Sequence, residues 1–187
     1  MKKDRRDFIT KSATAVAGVT LASPLQAAPL IGGKKGANEK IRVGFIGVGN
    51  RGSQLLGNFM ENDDVEVAAL CDVYQPYTTR NRAQVHQRYV DAGKSPKMGE
   101  TFDKRVKQYE DFRELLDDKE IDAVCIATPD HWHAIQTIQA LEAGKHVYVE
   151  KPLTITIKEG RAMVDAQKRT GKICAVGLNR RGSSIYQ

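Results

Sequence analysis

The run Ile41-Arg42-Val43-Gly44-Phe45-Ile46 is short, apolar and rich in β-branched residues, and it ends directly on Gly47-Val48-Gly49-Asn50-Arg51-Gly52. Beyond it, Leu55, Leu56, Phe59 and Met60 recur at helical spacing between Gln54 and Met60. A strand that turns through G-x-G-x-x-G into a helix leaves few folds open. In such a turn Gly47 permits the tight reversal, Gly49 lets the backbone approach a pyrophosphate, and Gly52 allows close helix–strand packing. Amides at the helix start, those of Asn50 and Arg51 among them, then face the anion. Asp72 lies 25 residues beyond Gly47, after the next strand-like run, Val65 to Leu70. A carboxylate there can accept from both ribose hydroxyls and repels a 2′-phosphate, so the expected dinucleotide is NAD rather than NADP. The plainer readings are an ordinary tight turn for the glycines and a strand-end cap for Asp72. The order of strand, turn, helix, strand and acid favours the dinucleotide.

Strands and helices alternate from residue 41 onward. A helix is expected from Thr78 to Ala92 with Gly93 as its stop, then an inserted loop from Lys94 to Lys107 leading to a short strand near Val106–Tyr109. Asp111 and Glu114 have capping-box spacing and start a helix through Asp117. Ile121 to Ala127 is almost continuously apolar, as a central parallel strand covered on both faces is. Ala134, Ile135, Ile138 and Leu141 mark a helix closed by Gly144, and Val147-Tyr148-Val149 is a strand. Thr156 and Glu159 form a second capping box on a helix stopped by Gly171, and Ile173 to Val176 is the last strand. The pattern predicts an α/β fold, a doubly wound parallel sheet of the Rossmann type, over residues 41–180.

Composition excludes other classes. The 187 residues hold 16 Gly, 6 Pro and 3 Cys, too few for collagen, low-complexity disorder or a disulfide scaffold. No run approaches the length of a membrane span. The net charge of +6 would suit a nucleic-acid binder, but half of it lies in residues 1–27, with Lys2, Lys3, Arg5, Arg6 and Lys11 against Asp4 and Asp7. The rest carries interspersed signs with no basic stripe, so no nucleic-acid partner is expected. Cys71, Cys125 and Cys174 fall within or at the end of apolar runs and read as buried thiols, and their spacing offers no metal site.

Residues 1–27 have a cationic start, a weakly apolar run from Ala13 to Ala22 and a small residue, Ala27, at the end. That is the layout of a cleavable signal peptide, with a retained basic amphipathic helix as the plainer alternative. Arg5-Arg6 followed by Phe8-Ile9 resembles a twin-arginine leader, although Lys11 sits one place late and Asp4 replaces the usual Ser or Thr. The resemblance implies the twin-arginine export machinery as a partner and a periplasmic location. Residues 28–40 read as a flexible lead.

Thr128-Pro129-Asp130-His131-Trp132-His133 follows the central strand, and Glu150-Lys151-Pro152 follows the next. With the glycine turn, these stretches resemble the Gfo/Idh/MocA oxidoreductase family over roughly residues 41–181. The resemblance implies that Lys151 is the catalytic lysine, that Pro152 follows a cis bond, and that Thr128, Pro129, Asp130, His133, Glu150 and Lys151 line the cofactor cleft. Asp130 stands where many members have Asn. Physically, Lys151 is a cation able to polarise a substrate hydroxyl or carbonyl and exchange its proton during hydride transfer. The plainer reading pairs it with Glu150 on the surface. His133 either lines the cleft or satisfies the first turn of its helix, and His131 and Trp132 either line the cleft or pack. Two histidines two apart do not share a helix face, so no metal is expected.

Family members continue into a second domain that supplies the substrate pocket. That domain is absent from this chain, and residues 181–187 read as its start, so the expectation is a fragment that binds cofactor without turning over substrate. A homo-oligomer of the full-length parent stays open. The implied activity is an exported NAD(P)-dependent oxidoreductase with a sugar or polyol-like substrate and a retained cofactor. Two alternatives stand beside it: an NAD-dependent, redox-neutral glycosidase of the same superfamily, and a non-catalytic dinucleotide-binding module. The glycosidases' Trp-Glu-Trp-His after Thr-Pro is not matched by Asp130-His131-Trp132-His133.

Overall fold

The computed structural model describes residues 40–79 and 106–178. The leader and lead at 1–39, the expected helix beyond residue 79 with the inserted loop, and residues 179–187 lie outside the described residues. The elements in chain order are β1 (Ile41–Ile46), α1 (Asn50–Met60), β2 (Val65–Cys71), α2 (Gln75–Thr79), β3 (Lys107–Tyr109), α3 (Phe112–Asp117), β4 (Ala123–Ile126), a 3₁₀ turn (Asp130–Trp132), α4 (His133–Glu142), β5 (His146–Glu150), α5 (Ile157–Thr170) and β6 (Cys174–Gly177).

The six strands form one sheet in the order β3-β2-β1-β4-β5-β6, and every neighbouring pair is parallel. This is the doubly wound Rossmann arrangement predicted from the alternation of runs. The two-residue period of the strands sorts side chains to the two faces. Phe45, Leu70 and Cys125 pack with Leu55 and Leu56 of α1. Ile46, Val124 and Ile126 pack with Leu115 of α3, Leu141 of α4 and Met163 of α5. Burying each large apolar side chain contributes roughly 1.5–3 kcal/mol, so both layers are needed to hold the sheet. The chain leaves β3 at one edge and re-enters at β4 beside β1, so the connections after β1 and β4 run apart at their carboxyl ends. Sheets of this kind bind ligands in that crevice.

Several boundaries differ from expectation for identifiable reasons. The helix placed at Thr78 begins at Gln75, with Pro76 in its first turn. Thr78 is interior, and its hydroxyl donates to the Gln75 carbonyl at 2.9 Å. At α3 Asp111 caps the helix, but the reciprocal capping box does not form. Asp111 accepts from the Arg113 amide at 2.9 Å, while the Glu114 amide bonds to the Asp111 carbonyl at 3.2 Å. At α5 both halves form, with Thr156 accepting from the Glu159 amide and Glu159 accepting from the Thr156 amide.

On α4, Ile135 is exposed, whereas Gln136 and Thr137 are buried. Lys145 is buried as well, because its ammonium donates to the carbonyls of Asp118 (2.6 Å) and Ile121 (2.8 Å), and burial lowers its pKa. Near the β3 edge, burial alone would raise the Asp118 carboxyl. Bonds from Lys107, the Glu120 amide and Tyr109 outweigh that and hold it at about 2.

Candidate functional site

The site starts from the glycine turn. Gly47 has φ +84°, a left-handed conformation that side chains rarely adopt, and its amide extends the ladder to the Cys71 carbonyl at 2.9 Å. A Cβ on Gly52 would stand 2.0 Å from the Gly47 carbonyl oxygen, so only glycine lets α1 start this close to β1. A Cβ on Gly49 would meet nothing nearer than the Tyr77 ring at 3.4 Å. Among the described residues no side chain caps α1, and no acid stands in its first turn. Its amino-terminal amides are therefore left for an anion, which is the donor set a pyrophosphate requires.

Asp72 directly follows β2 and is half-buried. One carboxylate oxygen accepts from the Val48 amide at 2.9 Å and the other from the Tyr74 amide at 3.0 Å. The acid thus ties the glycine turn to the end of β2, and each oxygen keeps a further lone pair for a ligand hydroxyl. Beside it, burial and then the charge of Asp72 push the Cys71 thiol up to about 12, so it stays protonated near neutrality.

These parts open onto a cleft of about 1040 Å³. It is lined by Gly47 and Gly49 after β1, Asp72, Tyr74 and Tyr77 after β2, Thr128, Pro129 and Trp132 after β4, and the start of α3. Trp132 is 42% exposed and stands edge-on to Phe112 at 6.4 Å, so it both lines the cleft and packs. Gln136, which the sequence reading passed over, is buried against the cleft and accepts from the Thr128 hydroxyl at 2.7 Å. A polar residue beside apolar helix positions was the signal that could have found it.

The remaining residues singled out from sequence take other places. Asn50 is exposed and its side-chain oxygen accepts from Gln54 at 3.3 Å. Asp130 is exposed, accepts from the His131 amide at 3.0 Å and is not among the cleft-lining residues; His131 is likewise exposed and outside the lining. His133 is 1% exposed, with Nδ1 2.7 Å from the Pro152 carbonyl oxygen and Nε2 2.9 Å from that of Thr128. Both acceptors are carbonyls. A neutral imidazole has one N–H and satisfies one of them, whereas a ring protonated on both nitrogens satisfies both. His133 is thus a brace between the loops that follow β4 and β5, with neither nitrogen left for a ligand.

Glu150 is buried and pairs with Arg51, not with Lys151. Lys151 is exposed at the carboxyl end of β5, its peptide bond to Pro152 is cis, and no ion-pair partner holds its ammonium among the described residues. The brace through His133 keeps this lysine loop one imidazole ring away from the Thr128 backbone of the cleft wall.

The family model for the Gfo/Idh/MocA oxidoreductases, NAD-binding Rossmann fold, matches residues 41–178. The chain is 34% identical over 191 residues to a glycosyl hydrolase family 109 protein of Shewanella pealeana, covering 96% of this chain and 40% of that one. It is 34% identical over 188 residues to an alpha-N-acetylgalactosaminidase of Shewanella oneidensis, covering 94% and 39%. Among solved structures it is similar to the WlbA dehydrogenase of Bordetella pertussis in complex with NADH and UDP-GlcNAcA, with a TM-score of 0.64, 25% identity and coverage of 80% and 40%. The chain spans about two fifths of the length of these relatives.

Proposed function

The chain belongs to the Gfo/Idh/MocA family of oxidoreductases, whose NAD-binding Rossmann model spans residues 41–178, and on that premise we propose that it holds the dinucleotide and the proton-handling lysine of an enzyme acting on a carbohydrate-like substrate. The observation that carries this is the pairing of a helix start beside Gly47 and Gly49, uncapped among the described residues, with an exposed Lys151 that has no ion-pair partner among them, at the carboxyl end of the same sheet. When bound, the dinucleotide supplies a hydride acceptor. The α1 amides hold its pyrophosphate, and Asp72 accepts from its ribose and favours NAD over NADP. Thr128 and Pro129 wall the cleft, and Lys151 polarises the substrate oxygen and moves its proton.

Lys151→Ala in the enzyme that carries this chain should lower kcat by about 10²–10⁴-fold, the usual worth of a general acid–base. NADH affinity, read by fluorescence titration, should change little. Unchanged turnover would remove Lys151 from the chemistry and leave this domain the role of binding the dinucleotide.

A second reading is favoured by the names of the two Shewanella relatives. In it the same lysine serves a cycle that oxidises, eliminates and reduces again, with no net redox change. Incubation with p-nitrophenyl α-N-acetylgalactosaminide separates the two. Nitrophenol release without net NADH marks the glycosidase, and NADH accumulating with an oxidised sugar marks the dehydrogenase.

The reading also includes export. Arg5 and Arg6 in a cationic leader support a twin-arginine route, and folding before export would load the cofactor in the cytoplasm and let a protein with reduced thiols cross. Replacing both arginines by Lys should leave the protein in the cytoplasmic fraction; undiminished periplasmic protein would refute this part.

A further inference from the structure

We infer that Arg51 is a positioning residue for Lys151, acting through Glu150, and is not a ligand of the dinucleotide; the inference rests on the role proposed above for Lys151. Arg51 stands in the first turn of α1, where the aligned peptide dipoles disfavour a cation unless an anion is close. A bound pyrophosphate would be one such anion, but the protein supplies its own. Nε and Nη2 of Arg51 both donate to Glu150 Oε1, at 2.9 and 2.8 Å, and Nη1 donates to Gln54 Oε1 at 2.9 Å. The guanidinium is thereby turned along the sheet toward β5.

The other end of the pair is buried. The Glu150 side chain is 4% exposed, at the end of β5. A carboxylate so enclosed requires a charged partner and filled hydrogen bonds. Its Oε2 accepts from the backbone amide of Lys151 at 3.1 Å. One carboxylate therefore holds helix α1 with one oxygen and the lysine's own backbone with the other. On the far side of Lys151, the Pro152 carbonyl is held by His133 at 2.7 Å. The lysine backbone is pinned at both flanks, and the upstream pin reaches the helix whose amides face the pyrophosphate. The neighbouring strand leaves room here as well, because a Cβ on Gly177 would lie 2.5 Å from the Tyr148 hydroxyl and 2.9 Å from Glu150 Oε1. The Arg51–Glu150 bridge thus sets the distance between the pyrophosphate cradle and the catalytic lysine.

The test uses the 187-residue chain with two variants. Arg51→Met combined with Glu150→Gln removes both charges and strands neither. Arg51→Lys keeps the cation and loses the two-pronged fork. Circular dichroism reads the fold and NADH fluorescence reads affinity. Labelling with pyridoxal 5′-phosphate and borohydride, followed by peptide mapping, reads how well NADH shields Lys151.

In the wild type NADH should slow labelling of Lys151 by about tenfold, as expected for an amine held beside an occupied site. In the double variant affinity should stay within about threefold, or under 1 kcal/mol by the affinity relation, while shielding falls to less than about twofold. Arg51→Lys should fall between, and it carries the same two readings if the double variant does not fold. A folded variant that loses about tenfold or more in NADH affinity would make Arg51 a cofactor ligand and overturn the inference. Wild-type shielding in both variants would also overturn it. A wild-type chain that binds no NADH overturns the proposed function as well, whereas failure confined to the variants overturns this inference alone.

Discussion

Gly52→Ala is expected to cost at least roughly 3 kcal/mol of stability, at the upper end of overpacking, and to abolish NADH binding. The added methyl would sit 2.0 Å from the Gly47 carbonyl oxygen and 2.9 Å from its carbon, both backbone atoms of the turn itself. No side-chain rotation relieves such a contact. Either α1 lifts from β1, opening the layer that holds Leu55 and Leu56, or the turn loses the geometry that aims its amides. For a domain of this size the loss corresponds to about 6–12 °C of melting temperature. Gly49→Ala is the matched control. Its methyl would reach the Tyr77 ring at 3.4 Å, so the fold should survive. Affinity for NADH should still fall by about tenfold or more, because the methyl occupies the approach of the pyrophosphate. Thermal melts and fluorescence titrations of both variants decide the matter. A Gly52→Ala protein that melts and binds like the wild type would sink the close-approach account.

His133→Leu should have the second largest effect. It preserves bulk in a fully enclosed position but removes the ring that bridges the partly buried carbonyls of Thr128 and Pro152. An acceptor left unpaired away from water costs about 1–3 kcal/mol, and with both carbonyls only partly buried a total loss in that range is expected. The loops after β4 and β5 should then move independently. Hydrogen exchange measured without cofactor should speed up in residues 128–133 and 150–154, and NADH affinity should fall with it. Had His133 touched the cofactor directly, affinity would fall with no change in exchange of the apo chain. That outcome would return the residue to the cleft wall.

These two positions mark how far the sequence can be read. The spacing of Gly47, Gly49 and Gly52 gives the tight turn directly; Gly47 and Gly52 leave no room for a Cβ, whereas Gly49 has only the Tyr77 ring at 3.4 Å. The sequence leaves His133 between two readings because its partners, Thr128 and Pro152, stand 5 and 19 positions away on either side. Periodicity carries no information about a partner in another loop. Lys145 and Gln136 were passed over for a related reason, since a polar residue next to apolar helix or strand positions reads as surface until its acceptors are known. Residue type makes Thr78 a candidate helix start. Its hydroxyl instead bonds back to the Gln75 carbonyl inside the helix, the other local bond open to a threonine.

The sequence by itself determined the parallel α/β layering, the turn at residues 47–52 and the acid at the end of β2, because these depend on the period of apolar residues and on backbone freedom within a few positions. Only the tertiary structure decided who pairs with whom. Arg51 and Glu150, 99 residues apart, carry no local sign of each other in the sequence, and the fold pairs them. The physical reason is that strand order in a parallel sheet brings distant carboxyl ends together, and a buried carboxylate takes whichever cation the packing places beside it. Local pattern sets the elements, and the sheet sets the charges against one another.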